Sequence, residues 1–330
     1  MASKSVPEAI RATVGALPSS KKQLKKLGQR LVDGTATAED QESYNQTIAF
    51  YDDLQAATVN ALVHIPWEKV AKAPGEVIVA GRAKTLDTLL QKLERTPEIG
   101  FANVRDVAGV RVVGDFTLAE QDVVVGVIKR VFQCPDAQII DRRAQPEAGY
   151  RAVHVVLPLC GVHVEVQVRT RLQHHWAELF ERLADQWGRQ IRYGGAPDPG
   201  DSSELAETRK EFVHDLQQAS VEVIAPMEET RSSIDLLRRA VTGDVQSDDP
   251  MLERIARTAP DMTITSEELP DLPPELAHTG NLTAVLDWEM AKAQSLANQL
   301  GESLLQFSAL LAEDEETQGP QAYDEGVTQP

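Results

Sequence analysis

Two short runs of this chain bring together an aromatic ring, an imidazole and a carboxylate. Gly149-Tyr150-Arg151-Ala152-Val153-His154 is followed closely by Val164-Glu165-Val166-Gln167-Val168-Arg169-Thr170. Both alternate apolar and polar side chains, the period-two pattern of a half-buried strand. Strands over 150–157 and 162–168 would carry their polar residues on one shared face. On such a face the Tyr150 ring can stack on a nucleobase, while the Glu165 carboxylate takes a metal ion or a proton.

A second group of residues could handle phosphate. Gly81-Arg82-Ala83-Lys84 is expected at a strand-to-helix turn, and Lys84, Thr88 and Lys92 follow at helical spacing, so they form one polar line. Lysines along an exposed helix ordinarily do no more than solvate it. Near a helix N-terminus, where N–H groups and the helix dipole favour anions, the same line suits a triphosphate. Arg111, set among Val110, Val112 and Val113, needs either an acidic partner or the face of an adenine ring. Asp106 and Glu165 together could hold Mg²⁺, which takes a few carboxylates alongside the substrate's own phosphate oxygens. His174 and Glu178 lie one turn apart, but a zinc site needs three or four ligands and no third is evident.

The elements that must position these groups follow from pattern. Ser20 caps a short basic helix carrying Lys21, Lys22, Lys25 and Lys26, whose charges either solvate a face or contact RNA phosphates. A second helix is expected over 38–65, ending before Pro66. From Glu76 onward the pattern reads as a strand at 77–80, a helix with Leu86, Leu89, Leu90 and Leu93 on one side, and a strand at 108–113. A helix over 118–132, an extended stretch at 138–140 and the two longer strands complete the series. That order predicts an α+β fold, a mixed β-sheet nucleotide-handling core flanked by helices. A helix over 171–187 is expected to cover the sheet, and Arg192–Gly200 is loop by composition. Three helical stretches follow, near 203–224, 226–241 and 283–311. The domain organisation expected is therefore N-terminal helices over 1–75, a core over 76–195, a helical acidic region over 196–312 and a disordered tail over 313–330.

Charge separates the chain in the same place. Residues 1–195 carry 25 Lys and Arg against 23 acids, whereas the remainder carries 8 against 28. An acidic C-terminal region either caps the core and solvates its outer side, or competes with nucleotide phosphates for a basic cleft. Cys134 and Cys160 lack the close spacing of a zinc or redox pair and are expected as small buried hydrophobes. No apolar run is long enough to cross a bilayer and no secretory signal follows Met1, so the expected location is the cytoplasm.

Taken in order, these runs resemble the synthetase domain of the RelA/SpoT family, which transfers the pyrophosphate of ATP to the ribose 3′-hydroxyl of a nucleotide. The likeness spans about residues 76–193. Its blocks are Gly81 to Lys84, Asp106 to Arg111, Gly149 to His154, Glu165 to Thr170, and the helix after them. The resemblance implies a nucleotidyltransferase-like synthetase core in which Arg82 and Arg111 sandwich adenine, with Lys84, Thr88 and Lys92 toward the triphosphate. Asp106 and Glu165 would bind Mg²⁺, with Glu165 also activating the attacking hydroxyl. Tyr150 would stack on the acceptor base with His154, Arg142 and Arg143 nearby, and Gln167 and Arg169 would support the strand. The upstream His/Asp cluster of the family's hydrolase half is missing, so no hydrolase activity is expected.

Where family members that use GDP or GTP have a lysine four residues before the stacking tyrosine, this chain has Pro146. The runs from Asp141 to His154 and from Gln173 to Gly195 are more similar to the toxic small alarmone synthetases. That branch includes enzymes that make guanosine or adenosine alarmones and others that pyrophosphorylate the 3′ CCA end of tRNA. The resemblance thus leaves the acceptor open between GDP or GTP, an adenine nucleotide and tRNA held through Lys21, Lys22, Lys25 and Lys26. An antitoxin and a second copy of the chain stand as further partners, and a catalytically inactive nucleotide sensor is the rival from another class.

Overall fold

The computed structural model describes residues 4–71, 76–83, 86–96, 99–200, 202–244, 271–273, 275–276 and 282–318; for 83, 86–88 and 312–318 it describes the backbone alone. Its chain forms two compact units, Met1–Gln145 with Arg151–Arg171, and Pro146–Tyr150 with Leu172–Pro330.

The first unit is built on a five-stranded sheet in the order β1-β2-β5-β4-β3. Its strands are β1 (Ile78–Ala83), β2 (Ala108–Gly114), β3 (Gln138–Asp141), β4 (Val153–Leu159) and β5 (Val162–Thr170). β2 and β5 run parallel and every other neighbouring pair is antiparallel, so the sheet is mixed. The helices are α1 (Val6–Val14), α2 (Lys21–Val32), α3 (Ala38–Val63), α4 (Leu86–Arg95) and α5 (Leu118–Val131). The α+β fold expected from pattern is the one observed.

Local chemistry sets the helix starts. Ser20 and Gln23 cap α2 reciprocally, the Gln23 Oε1 accepting the Ser20 N–H at 2.9 Å; Thr37 with Asp40 and Thr117 with Glu120 do the same for α3 and α5. Each pair satisfies donors that a helix cannot satisfy internally. Asp40 is also held by Arg30 of α2, whose Nε donates to it at 2.7 Å.

Strand alternation divides the sheet into an apolar and a polar face. Val110, Val112, Val153, Val155, Leu157, Val164, Val166 and Val168 join one buried cluster with Leu54 of α3 and Val124 and Ile128 of α5. Gly81, expected at a turn, lies inside β1 instead. The reason is steric, because an added Cβ there would sit 2.6 Å from Gln55 Oε1 of α3, and Gln55 Nε2 donates onward to the Gly109 carbonyl at 2.9 Å. Glycine at 81 leaves room for the Gln55 amide to reach that carbonyl. Cys134 and Cys160 are partly buried against this cluster and unpaired.

The second unit comprises α6 (Arg171–Trp187), α7 (Ser203–Gln218), a π-helical turn (Ala219–Ile224), α8 (Ala225–Thr242) and α9 (Leu282–Gln318). Compactness divides the chain at the start of α6 rather than in the Arg192–Gly200 loop. The apolar side of α6, with Leu172, Trp176, Leu179, Phe180 and Leu183, forms a core with Val213, Leu216, Ile224, Ala297 and Leu304. The break expected at Pro226 is replaced by the π turn. Proline clashes with the carbonyl four residues back, and a wider turn at that point lets the helix continue. α9 continues to Gln318, past the start of the expected disordered tail, as propagation of a formed helix adds one bond per residue. Residues beyond Gln318 lie outside the described part. No described helix is long and apolar enough to cross a membrane.

Leu54 is fully buried beneath the apolar sheet face. Leu54→Ala is therefore expected to cost about 2–5 kcal/mol, measured as a lowered denaturant midpoint with an unchanged slope.

Candidate active site

Strand register places six of the site residues expected from sequence on the polar face. Across the sheet, Arg82 pairs with Gly109, Gly109 with Glu165, and Glu165 with Val156. The adjacent row runs Ala80, Arg111, Gln167, His154 and Ile140. Arg82, Arg111, Glu165, Gln167 and His154 thus share one surface, with Arg169 one row further along β5. With strands about 4.8 Å apart, Arg82 and Glu165 stand roughly 10 Å apart at the backbone, with bare Gly109 between them. Gly109 lies inside the Asp106–Arg111 run, and its use becomes visible only once three strands are aligned. A Cβ there would meet the Arg82 carbonyl oxygen at 3.2 Å.

Glu165 is the centre of a hydrogen-bonded relay and is only 8% exposed. His154 Nδ1 lies 3.2 Å from Glu165 Oε1, and Gln167 Nε2 donates to Oε2 at 2.9 Å. Gln167 Oε1 accepts in turn from Nη2 of fully buried Arg169 at 2.9 Å. Burial pushes the Glu165 carboxyl up and nearby Asp106 adds to that, but the His154 and Gln167 hydrogen bonds prevail, and its pKa lies below the ordinary carboxylate value. Such a group stays ionised and can take either a cation or a proton.

Asp106 stands just before β2, and its Oδ1 accepts from Lys92 Nζ of α4 at 2.6 Å. Of the expected triphosphate line, Lys84 lies outside the described residues and the side chain of Thr88 does too, which leaves Lys92 as the member whose contact is defined. Among the described residues no group of three or more His, Cys, Asp and Glu side chains could hold a metal. The donors present are two carboxylates, Asp106 and Glu165, close enough for the charge of one to act on the other. Such a pair suits a hard cation that takes its remaining ligands from water and phosphate. His174 Nδ1 stands 4.0 Å from Glu178 Oε1 in α6.

Two acceptor-side residues stand in settings that the sequence pattern did not show. Tyr150 is outside β4, which begins at Val153, and belongs to the second unit, where its ring packs against the α6–α7 core. The alternation that suggested a strand from Tyr150 instead begins beyond a tight turn. Arg143 is already engaged. It donates to both Asp141 oxygens, to Asp122 at 2.6 Å and to the Leu118 carbonyl. These hydrogen bonds hold the Asp141 carboxyl below its usual value despite burial, so Arg143 joins β3 to α5. Arg142 bonds through its backbone N–H to the Ala152 carbonyl at 2.9 Å. Lys21, Lys22, Lys25 and Lys26 are all exposed on α2.

Residues 81–185 match the family described as the region found in RelA/SpoT proteins. Uncharacterised proteins of Mycobacterium tuberculosis and Mycobacterium bovis are 37% identical over 206 residues, 62% of this chain and 74% of theirs. Among solved structures, the small alarmone synthetase 1 from Bacillus subtilis aligns at 23% identity over 59% of this chain and 98% of its own, with a TM-score of 0.42.

A carboxyl whose pKa is lowered in the folded state contributes stability above its unfolded value and loses that contribution as pH falls through the folded one. His154→Gln removes the largest stabiliser of ionised Glu165 and leaves burial to raise its pKa. The acid limb of the stability curve should therefore move to higher pH, as read by thermal unfolding from neutral to acid conditions; superimposable curves would separate His154 from the Glu165 charge.

Proposed function

The chain belongs to the family that carries the RelA/SpoT region, and on that premise we propose that it is a pyrophosphokinase transferring the β,γ-pyrophosphate of ATP to the ribose 3′-hydroxyl of a nucleotide. One observation supports this above the others: a buried carboxylate, kept ionised, sits one bare glycine from an arginine on the polar sheet face. Arg82 and Arg111 are diagonal neighbours on β1 and β2, a spacing that suits two guanidinium planes taking an adenine ring. Lys92, paired with Asp106, holds a cation where the phosphates would lie.

In this reading the acceptor 3′-oxygen forms a bond to the β-phosphorus while the bond from that phosphorus to the α–β bridging oxygen breaks, and AMP leaves. The hydroxyl proton passes to Glu165, which His154 and Gln167 keep deprotonated until then. Asp106 and Glu165 are the residues that would hold Mg²⁺, which when bound neutralises phosphate charge. Most of the acceleration comes from positioning and charge neutralisation. Tyr150 supplies the acceptor-base stack by resemblance, and the product, a guanosine or adenosine alarmone, would restrain growth.

The tRNA-directed reaction is the second reading, favoured by the four exposed lysines of α2, because lysines contact phosphate without reading sequence. Labelled ATP incubated separately with GDP, GTP, AMP and deacylated tRNA distinguishes the two. Transfer to a free nucleotide is expected, and label on tRNA alone would overturn the first reading. Glu165→Gln should lower transfer by about 10²–10⁴-fold with the fold retained by circular dichroism. No transfer by the wild-type protein to any acceptor would point to a nucleotide-binding protein without turnover.

A further inference from the structure

We propose that Ser220, in the π-helical turn of the C-terminal unit, is a positioning residue that clamps the Tyr150 turn and so sets acceptor binding. This rests on the pyrophosphokinase reading for its kinetic consequence, though not for its geometry.

The turn is strained and needs holding. Glu147 to Tyr150 close a tight turn, the Tyr150 N–H donating to the Glu147 carbonyl at 2.9 Å. Both central residues have positive φ, 50° at Ala148 and 83° at Gly149. This is the mirror-type turn that favours glycine at both positions, yet alanine stands at the first. Surrounding structure must therefore enforce that conformation.

The enforcement comes from the α7–α8 junction of the same unit. Ser220 Oγ donates to the Gly149 carbonyl at 2.5 Å, and Ser220 is 2% exposed. The backbone of Gln217 approaches so closely that a Cβ on Gly149 would lie 3.0 Å from its Cα and 2.8 Å from the Trp176 ring. Trp176 is itself fixed: its Nε1–H donates to the Leu216 carbonyl at 2.7 Å, and it stacks on Phe180 at 4.7 Å between centroids. The carbonyl it uses lies in the last turn of α7, immediately before the π turn. Ser220 falls within the wide turn that precedes Pro226. A π turn, common at functional sites, here places a hydroxyl against the residue preceding the aromatic plate. Ser220 lies outside residues 81–185, so the positioning device belongs to the C-terminal region rather than to the matched family segment.

The test compares the wild type with Ser220→Ala and with Ser233→Ala, whose hydroxyl bonds only the Glu229 carbonyl one turn back in α8. Amide hydrogen exchange over 146–151 should quicken on the order of tenfold in Ser220→Ala, the scale of one buried hydrogen bond, and stay unchanged in Ser233→Ala. The acceptor KM should rise about fivefold to tenfold in Ser220→Ala, with the ATP KM within about twofold. Unchanged exchange would overturn the clamp. Faster exchange with an unaltered acceptor KM, or equal losses for both substrates, would overturn the positioning role. A wild type inactive with every acceptor removes the positioning role together with the functional reading, and the clamp then stands or falls on exchange alone.

Discussion

A carboxylate buried in a sheet must be either protonated or compensated, and the arrangement of the first unit follows from which of these holds for Glu165. Desolvation alone drives such a group toward neutrality. Here His154 on the neighbouring strand and Gln167 two residues along its own strand each give it a hydrogen bond, and Gln167 is in turn oriented by Arg169. The relay is linear and drawn from adjacent positions of β4 and β5, so it depends on their register. A one-residue slip of β5 would send Glu165, Gln167 and Arg169 to the apolar face, away from His154.

That register is secured by the other side of the sheet. The valines of β2, β4 and β5 are packed against α3 and α5, and their burial makes any alternative pairing costly. Polar groups also lock the helices to the strands: Gln55 reaches the Gly109 carbonyl and Gln121 the Val168 carbonyl at 2.9 Å. Each bond ends on a strand that carries site residues on its opposite face. Apolar packing and polar chemistry are thus two sides of the same three central strands.

The second unit solves a different problem. Its core is helical and apolar, but it buries Glu228 and Arg231, with Gln173 donating to Glu228 at 3.1 Å and Arg231 to Gln294 at 2.6 Å. Buried polar groups are tolerated when hydrogen-bonded, and these tie α6, α8 and α9 to particular partners. Its acidity is therefore not only a solvated surface, since one of its carboxylates is part of the interior.

Period-two alternation placed Glu165, Gln167 and His154 on one face from sequence alone, and the Ser20 cap marked the start of α2. Both are local properties of the backbone, visible within a few residues. The strand expected to begin at Tyr150 failed because alternation does not register a turn held by positive φ at Ala148 and Gly149. The contact of Arg143 with Asp122 could not be read locally, because Asp122 lies on another element. The Arg82–Gly109–Glu165 row and the Ser220 clamp had no local signature at all. Each requires segments far apart in the chain to be aligned to within a residue, and only the pairing of strands and the packing of helices decides that alignment.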